Sequence, residues 1–312
     1  MKILFIVNPI AGGEDKTDFL TKLQSIVQHK QLNFKLYSTT GNDDENQIQS
    51  LIKELQPEIA VAIGGDGTLL MVARCILKTS IKLGIIPYGS ANGMATELNI
   101  PSDKEEALNI ILEGKDILID TLLIDEKHPC LHIGDMGFNA KIVKRFEEEK
   151  KRGLISYAKH FLKEWRFSQR IKCTLTTEKN SRKLKCHMIA FANARKYGTG
   201  ALLNPVGKLN DGYFELCIVK IISFKVMLLM LLTFFSGALY KTRFAKIIQC
   251  RKARIKLKKH RKMLVQVDGE IIGEQNTVFI EIIPKSLRVI VPAIVNPSFL
   301  DYLVANVAFE KH

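Results

Sequence analysis

Two acidic turns and three glycine-rich turns hold the residues of this 312-residue chain best suited to chemistry. The acidic turns are Asp211-Gly212 and Asp268-Gly269-Glu270. The glycine-rich turns are Asn8-Pro9-Ile10-Ala11-Gly12-Gly13, Gly64-Gly65-Asp66-Gly67-Thr68 and Pro87-Tyr88-Gly89-Ser90-Ala91-Asn92-Gly93. A glycine turn between an apolar strand and a helix lets backbone N–H groups and the positive helix end reach phosphate oxygens without side-chain obstruction. The stretch from Ile63 to Leu70 has that form, with its helix expected to begin near Thr68. Taken alone, it reads equally well as a tight strand-to-helix turn with no ligand. The loops contain neither GxGxxG nor GxxxxGK[ST], which argues against a dinucleotide-dependent dehydrogenase and a standard P-loop ATPase. Asp268-Gly269 is first of all a hairpin signal. The same caution applies to Asp211-Gly212.

These turns need a frame. Apolar runs at Ile3–Val7, Phe34–Tyr37, Ile59–Ile63 and Lys82–Ile86 alternate with helical spacing such as Phe19, Leu20, Leu23, Ile26 and Val27. That rhythm predicts an α/β nucleotide-binding domain with a doubly wound parallel sheet over 1–122, whose strand ends bring the glycine loops together. From about residue 120 the pattern becomes strand-rich, with runs at Cys130–Ile133, Ile171–Thr177, Cys186–Ala192, Gly212–Val219, Ala253–Leu257, Met263–Val267 and Val278–Ile283. It predicts a mainly antiparallel β-rich domain over 123–295, interrupted by helices at Leu154–Phe167 and 221–248. A terminal helix, 296–312, is expected to pack on the first domain.

Forty-six Lys and Arg against 32 Asp and Glu give a formal charge of +14, which favours polyanionic partners without choosing among them. Six scattered cysteines suit a reducing compartment, and the apolar run after Met1-Lys2 is too short for a signal peptide, so a cytoplasmic protein is expected. The apolar segment 221–239, with Lys225 its single charge, reads first as a core helix, next as one that touches a membrane and last as one that spans it. Alternation in Arg251–Lys262 describes a half-buried strand with one cationic face, either solvated or set against an anionic membrane. The seven histidines lack metal-ligand spacing, Trp165 reads as packing, and no serine sits in a GxSxG elbow.

Taken together, NPIAGG at 8–13, the YST ending at Thr39, GGDGT at 64–68, PYGSANG at 87–93, GDMGFNA at 134–140, NPVGKLNDGYFEL at 204–216 and VQVDGE at 265–270 resemble the diacylglycerol kinase and bacterial lipid kinase family, which includes the sphingosine kinases. The resemblance spans nearly the whole chain. It implies ATP between the two domains, near Asn8, Thr39, Gly65, Asp66, Gly67, Thr68 and Ser90, and a magnesium-supporting loop with the Asp211 carboxylate and the carbonyls of Lys208 and Tyr213, an oxygen-only set. It implies catalysis at the Asp-Gly-Glu turn, with Glu270 as base and Asp268 orienting the hydroxyl or binding magnesium, or these roles exchanged. Gly93 departs from the acidic or amide residue usual in the family, and GSANG resembles the sphingosine-kinase-like branch.

The implied acceptor is a lipid hydroxyl, diacylglycerol first and a sphingoid base second, met at an anionic membrane surface by a peripheral protein. Oligomeric state is left open, with a homo-oligomer compatible. NAD kinases share the GGDGTLL loop, and the likeness runs from Gly64 to Arg74 before failing at PYGSANG and VQVDGE. A non-catalytic lipid binder is the rival from another class. Nucleic acid is not expected, because the basic run lacks interleaved exposed aromatics.

Overall fold

A computed structural model describes residues 1–137, 140, 170–196, 202–220, 242, 244–258 and 261–293. The chain forms two compact units, one of Met1–Ile119 joined by the strand from Lys285 onward, the other within Asp120–Pro284.

The first unit carries strands β1 (Lys2–Val7), β2 (Asn33–Ser38), β3 (Ile59–Gly64) and β4 (Lys82–Pro87), with helices α1 (Thr17–His29), α2 (Asp44–Leu55), α3 (Asp66–Ile76), α4 (Gly93–Glu97) and α5 (Lys104–Glu113). The sheet is parallel, in order β2-β1-β3-β4. Strands β1 and β3 are buried on both faces, as the continuous apolar runs require. The chain turns back on itself between β1 and β3, which makes the carboxyl ends of these two strands the switch point of the sheet. Helix α3 begins at Asp66, two residues earlier than its apolar spacing suggests, because Gly65 takes the capping position.

The second unit carries β5 (Lys115–Ile124, which starts in the first unit), β6 (His128–Cys130), β7 (Ile133–Gly137), β8 (Ile171–Thr177), β9 (Ser181–Cys186), β10 (Met188–Ala192), β11 (Phe214–Val219), β12 (Ala245–Cys250), β13 (Lys252–Leu257), β14 (Met263–Val267) and β15 (Glu270–Gln275). Strand β16 (Thr277–Val291) completes it with its first half. One antiparallel sheet runs β12-β11-β10-β7-β14-β15, and β16, β13, β8 and β9 form another antiparallel group. Leu175, Ile255 and Ile280 from the latter pack with Phe191, Phe214, Leu216 and Val265 from the former in one apolar core, so the unit is a β-sandwich.

Several elements differ from the sequence expectation. The run Cys186–Ala192 is two strands, because β9 pairs with β8 and β10 pairs with β7 and β11; the chain changes sheet at His187. Cys130–Ile133 breaks at Leu131 and His132, whose N–H groups turn to the Asp268 carboxylate. Gly212, at φ +74°, delays the next strand to Phe214. The helix expected over 221–248 gives way at Ala245 to β12, whose backbone pairs with β11. Residues 221–241, the expected helix Leu154–Phe167 with Trp165, and 296–312 lie outside the described residues. Among the described residues no helix is long and apolar enough to cross a membrane.

Candidate functional site

The three glycine loops of the first unit follow β1, β3 and β4 and meet at the carboxyl ends of those strands. Asn8 Nδ2 donates to Thr68 Oγ1 at 3.2 Å, and Asn8 N–H bonds the Ile63 carbonyl at 2.9 Å, joining the first loop to the second. Asp66 joins the second to the third: its carboxylate accepts the N–H groups of Gly93 at 3.0 Å and Met94 at 3.3 Å. Within the third loop the Asn92 side chain closes a ring on Gly89, accepting its N–H at 2.8 Å and donating to its carbonyl at 2.7 Å.

Contact this close demands glycine. A Cβ on Gly12, at φ +69°, would lie 2.2 Å from the Tyr88 carbonyl oxygen, and one on Gly89 would lie 2.6 Å from Gly65 Cα. Gly13 and Gly67, by contrast, border open space; the Gly13 N–H turns to the Ile10 carbonyl at 3.3 Å, and the exposed backbone that a ligand can approach is that of Gly67. Gly67 stands in the first turn of α3, where the helix dipole favours an anion. Thr39, after β2, is tied to the β1 end by its N–H to the Val7 carbonyl at 2.8 Å, and Ser90 is exposed on the third loop. The donor chemistry fits a nucleotide's phosphates.

Lys16 shapes the first loop from inside, which its sequence neighbours gave no sign of. It is 4% exposed, and its ammonium donates to the carbonyls of Pro9, Ala11 and Glu14 at 3.2, 2.7 and 2.9 Å. Burial holds its pKa below the ordinary lysine value.

In the second unit Asp268 and Gly269 are both left-handed, at φ +49° and +91°, the form of a two-residue hairpin between β14 and β15. Asp268 Oδ2 accepts the Leu131 N–H at 2.7 Å, and Oδ1 accepts those of His132 at 2.9 Å and Ile133 at 3.0 Å, with Cys130 Sγ at 3.4 Å. Burial raises this carboxyl above its usual range, while the backbone N–H bonds pull the other way. Surrounded by donors, it has the setting of an anchor for the 130–133 turn rather than of a cation ligand. The Gln266 side chain takes the Gly269 N–H at 2.9 Å and also bonds Asp135. Glu270 opens β15, half-buried.

The Asp211 loop is held separately. Gly212 N–H donates to Asp120 Oδ2 at 2.7 Å, and Asp120 N–H donates to the Leu209 carbonyl at 2.6 Å. Asp120 is fully buried; a carboxylate inside the apolar run Ile117–Ile124 was the sequence signal for it. Asp211 Oδ1 accepts the Tyr213 N–H at 3.0 Å, and Arg251 stacks on the Tyr213 ring at 4.7 Å. Next along the chain, Glu215 is buried and raised in pKa, chiefly by desolvation, with Asn204 at 2.7 Å and Gln249 at 3.1 Å as donors. Among the described residues no three His, Cys, Asp or Glu side chains cluster to hold a metal. One carboxylate with the carbonyls of Lys208 and Tyr213 fits a hard cation that keeps part of its water shell.

Residues 2–124 match the model of the diacylglycerol kinase catalytic domain, and residues 134–291 that of the YegS C-terminal NAD kinase beta sandwich-like domain. A probable lipid kinase YegS-like protein of Yersinia enterocolitica is 27% identical over 93% of this chain and 96% of its own. The counterpart from Klebsiella pneumoniae is 32% identical over 52% of this chain and 56% of its own. A solved diacylglycerol kinase structure from Bacillus anthracis superposes with a TM-score of 0.71 at 18% identity, covering 94% of this chain and 98% of that one, and so shares the fold.

Proposed function

We propose, on the premise that this chain belongs to the lipid kinase family in which a diacylglycerol kinase catalytic domain precedes a YegS C-terminal domain and is itself a kinase, that it transfers the γ-phosphate of ATP to a lipid hydroxyl, diacylglycerol first. The observation that carries this reading is the convergence of three glycine loops at the β1/β3 switch point, with open space at Gly13 and exposed backbone at Gly67. Asn8, Thr39, Gly65, Asp66, Gly67, Thr68 and Ser90 hold the nucleotide. Backbone N–H groups at the start of α3 face its phosphates, and Asp66 fixes the spacing of the loops.

Glu270 accepts the proton of the lipid hydroxyl as the phosphorus is attacked. Asp268 keeps the hairpin and the 130–133 turn in register, so that Glu270 projects from a rigid base. Magnesium, when bound, offsets charge on the transferring group or supports the Asp211 loop. Lys208, Asp211 and Tyr213 would hold it at that loop. The face of β13 bearing exposed Lys252, Arg254 and Lys256 lies beside Phe279, which is 48% exposed with Arg254 over its ring at 5.0 Å. Cations next to an exposed aromatic suit an anionic bilayer surface.

The test is transfer of labelled γ-phosphate, with magnesium, to diacylglycerol, a sphingoid base and NAD in mixed micelles. Label in diacylglycerol supports the reading, label in the sphingoid base alone moves the acceptor, and label in NAD alone overturns the lipid assignment. Glu270→Gln should keep its fold and lose a factor on the order of 10² to 10⁴ in rate. A wild-type rate removes Glu270 as base.

A further inference from the structure

At the end of β14 away from the Asp268 hairpin, the sandwich opens into a cavity of roughly 310 Å³ lined by Arg170, Ile171, Lys172, Leu257, Arg261, Lys262, Met263, Leu264 and Glu274. Its walls come from both sheets. The start of β8 and the end of β13 meet there through Leu257 opposite Cys173 and the Lys258 N–H to the Lys172 carbonyl at 2.9 Å. The start of β14 pairs with the end of β15 through Leu264 opposite Glu274. Five residue steps separate Met263 from Asp268, about 16 Å in extended chain, so this cavity is distinct from the reactive turn.

Four cations line it against one carboxylate, and none of the four shares an ion pair among the described residues. All four are exposed, so solvent screens part of their mutual repulsion, and an anion bound among them would remove more of it. The floor is apolar: Ile171 and Leu257 are buried, and Met263 and Leu264 are half-buried. Guanidinium groups pair with phosphate through two parallel hydrogen bonds, and the lysines add point charges. The volume admits a phosphate with a small organic group resting on the apolar floor.

We propose that this cavity is a second, non-catalytic site for a phosphate ester, taken either from the headgroup of an anionic phospholipid or from a soluble phosphate compound. Occupancy relieves the repulsion among Arg170, Lys172, Arg261 and Lys262 and ties together the ends of the two sheets.

The experiment is calorimetric titration of the full chain with glycerol 3-phosphate and with inorganic phosphate, alongside flotation with phosphatidylcholine vesicles with or without phosphatidic acid. The readout is binding, so it stands or falls separately from the kinase assignment. Arg170→Gln with Arg261→Gln should weaken binding at least about tenfold, and Glu274→Gln should tighten it, a gain that misfolding cannot produce. Saturable binding of the soluble ester that follows these variants assigns a free phosphate compound. Binding only to phosphatidic acid vesicles that follows the same variants assigns a lipid headgroup. Vesicle binding that responds to Lys256→Gln but to neither cavity variant overturns the site, as does an absence of saturable binding to every probe.

Discussion

Asp268→Asn separates an anchoring carboxylate from a reacting one. An amide at this position keeps one oxygen for the His132 and Ile133 N–H groups but turns an NH₂ toward the Leu131 N–H, which the carboxylate now meets at 2.7 Å. The change removes one charge-assisted bond, leaves a buried donor unmet and weakens the other two bonds. Each of the first two effects is worth about 1 to 3 kcal/mol. Part is returned, because the wild-type carboxyl already suffers from burial, as its raised pKa shows. The net loss should be about 2 to 4 kcal/mol, a fall in melting temperature on the order of 5 to 10 °C. Near-ultraviolet circular dichroism follows the melt, and hydrogen exchange at the Leu131, His132 and Ile133 amides reads the anchor directly, with protection falling at these three sites first. An unchanged melt and unchanged exchange, with phosphotransfer down more than about hundredfold, would mean that the Asp268 carboxylate acts on the reactants and does not hold the turn.

Gly12→Ala forces a left-handed alanine against the Tyr88 carbonyl 2.2 Å away, so the first and third loops must part; KM for ATP should rise about tenfold, and an unchanged KM would detach these loops from the nucleotide. Lys16→Met leaves the Pro9, Ala11 and Glu14 carbonyls without their shared donor; it should cost about 2 to 4 kcal/mol in urea unfolding and expose the first loop to proteolysis, whereas resistance equal to wild type would count against an internal scaffold. Glu215 has a raised folded pKa, so its contribution is fully present below the ordinary glutamate value and is lost as pH rises through the folded one. Glu215→Gln should therefore gain stability relative to wild type as pH rises across that window, and a difference that does not vary with pH would remove the burial argument.

The central strands were legible because burial dictates their composition. In β13, Ala253, Ile255 and Leu257 are buried and the intervening cations exposed, as the alternation requires, and β1 and β3 follow their apolar runs. The strands that escaped notice are mostly edges: β9 closes one antiparallel group, and β12 and β15 close the other sheet. An edge strand has one pairing partner and much exposed surface, so its sequence tolerates the charges of Ser181–Cys186 or the glycine of Glu270–Gln275 and loses its periodic signature. In the candidate site, glycine loops and Asp-Gly turns could be seen because each is a local backbone solution. The bonds of Asp268 to Leu131 and of Asn8 to Thr68 join residues 137 and 60 positions apart, and nothing local announces them.

The route of the chain through β16 bears on how the protein is made. The first unit gains its last strand from Lys285 onward, where Arg288 and Val289 pair with Lys82 and Leu83 of β4. During synthesis, Met1–Ile119 leaves the ribosome long before that strand exists, and the hydrogen-bonding edge of β4 stays open while the second unit is translated. At about 5 to 20 residues per second the wait lasts on the order of ten seconds or more, during which an unpaired apolar edge invites chaperones or a neighbouring nascent chain. A fragment ending at Ile119 carries the same open edge permanently, and expression of this half by itself should yield aggregates unless β16 is supplied in trans.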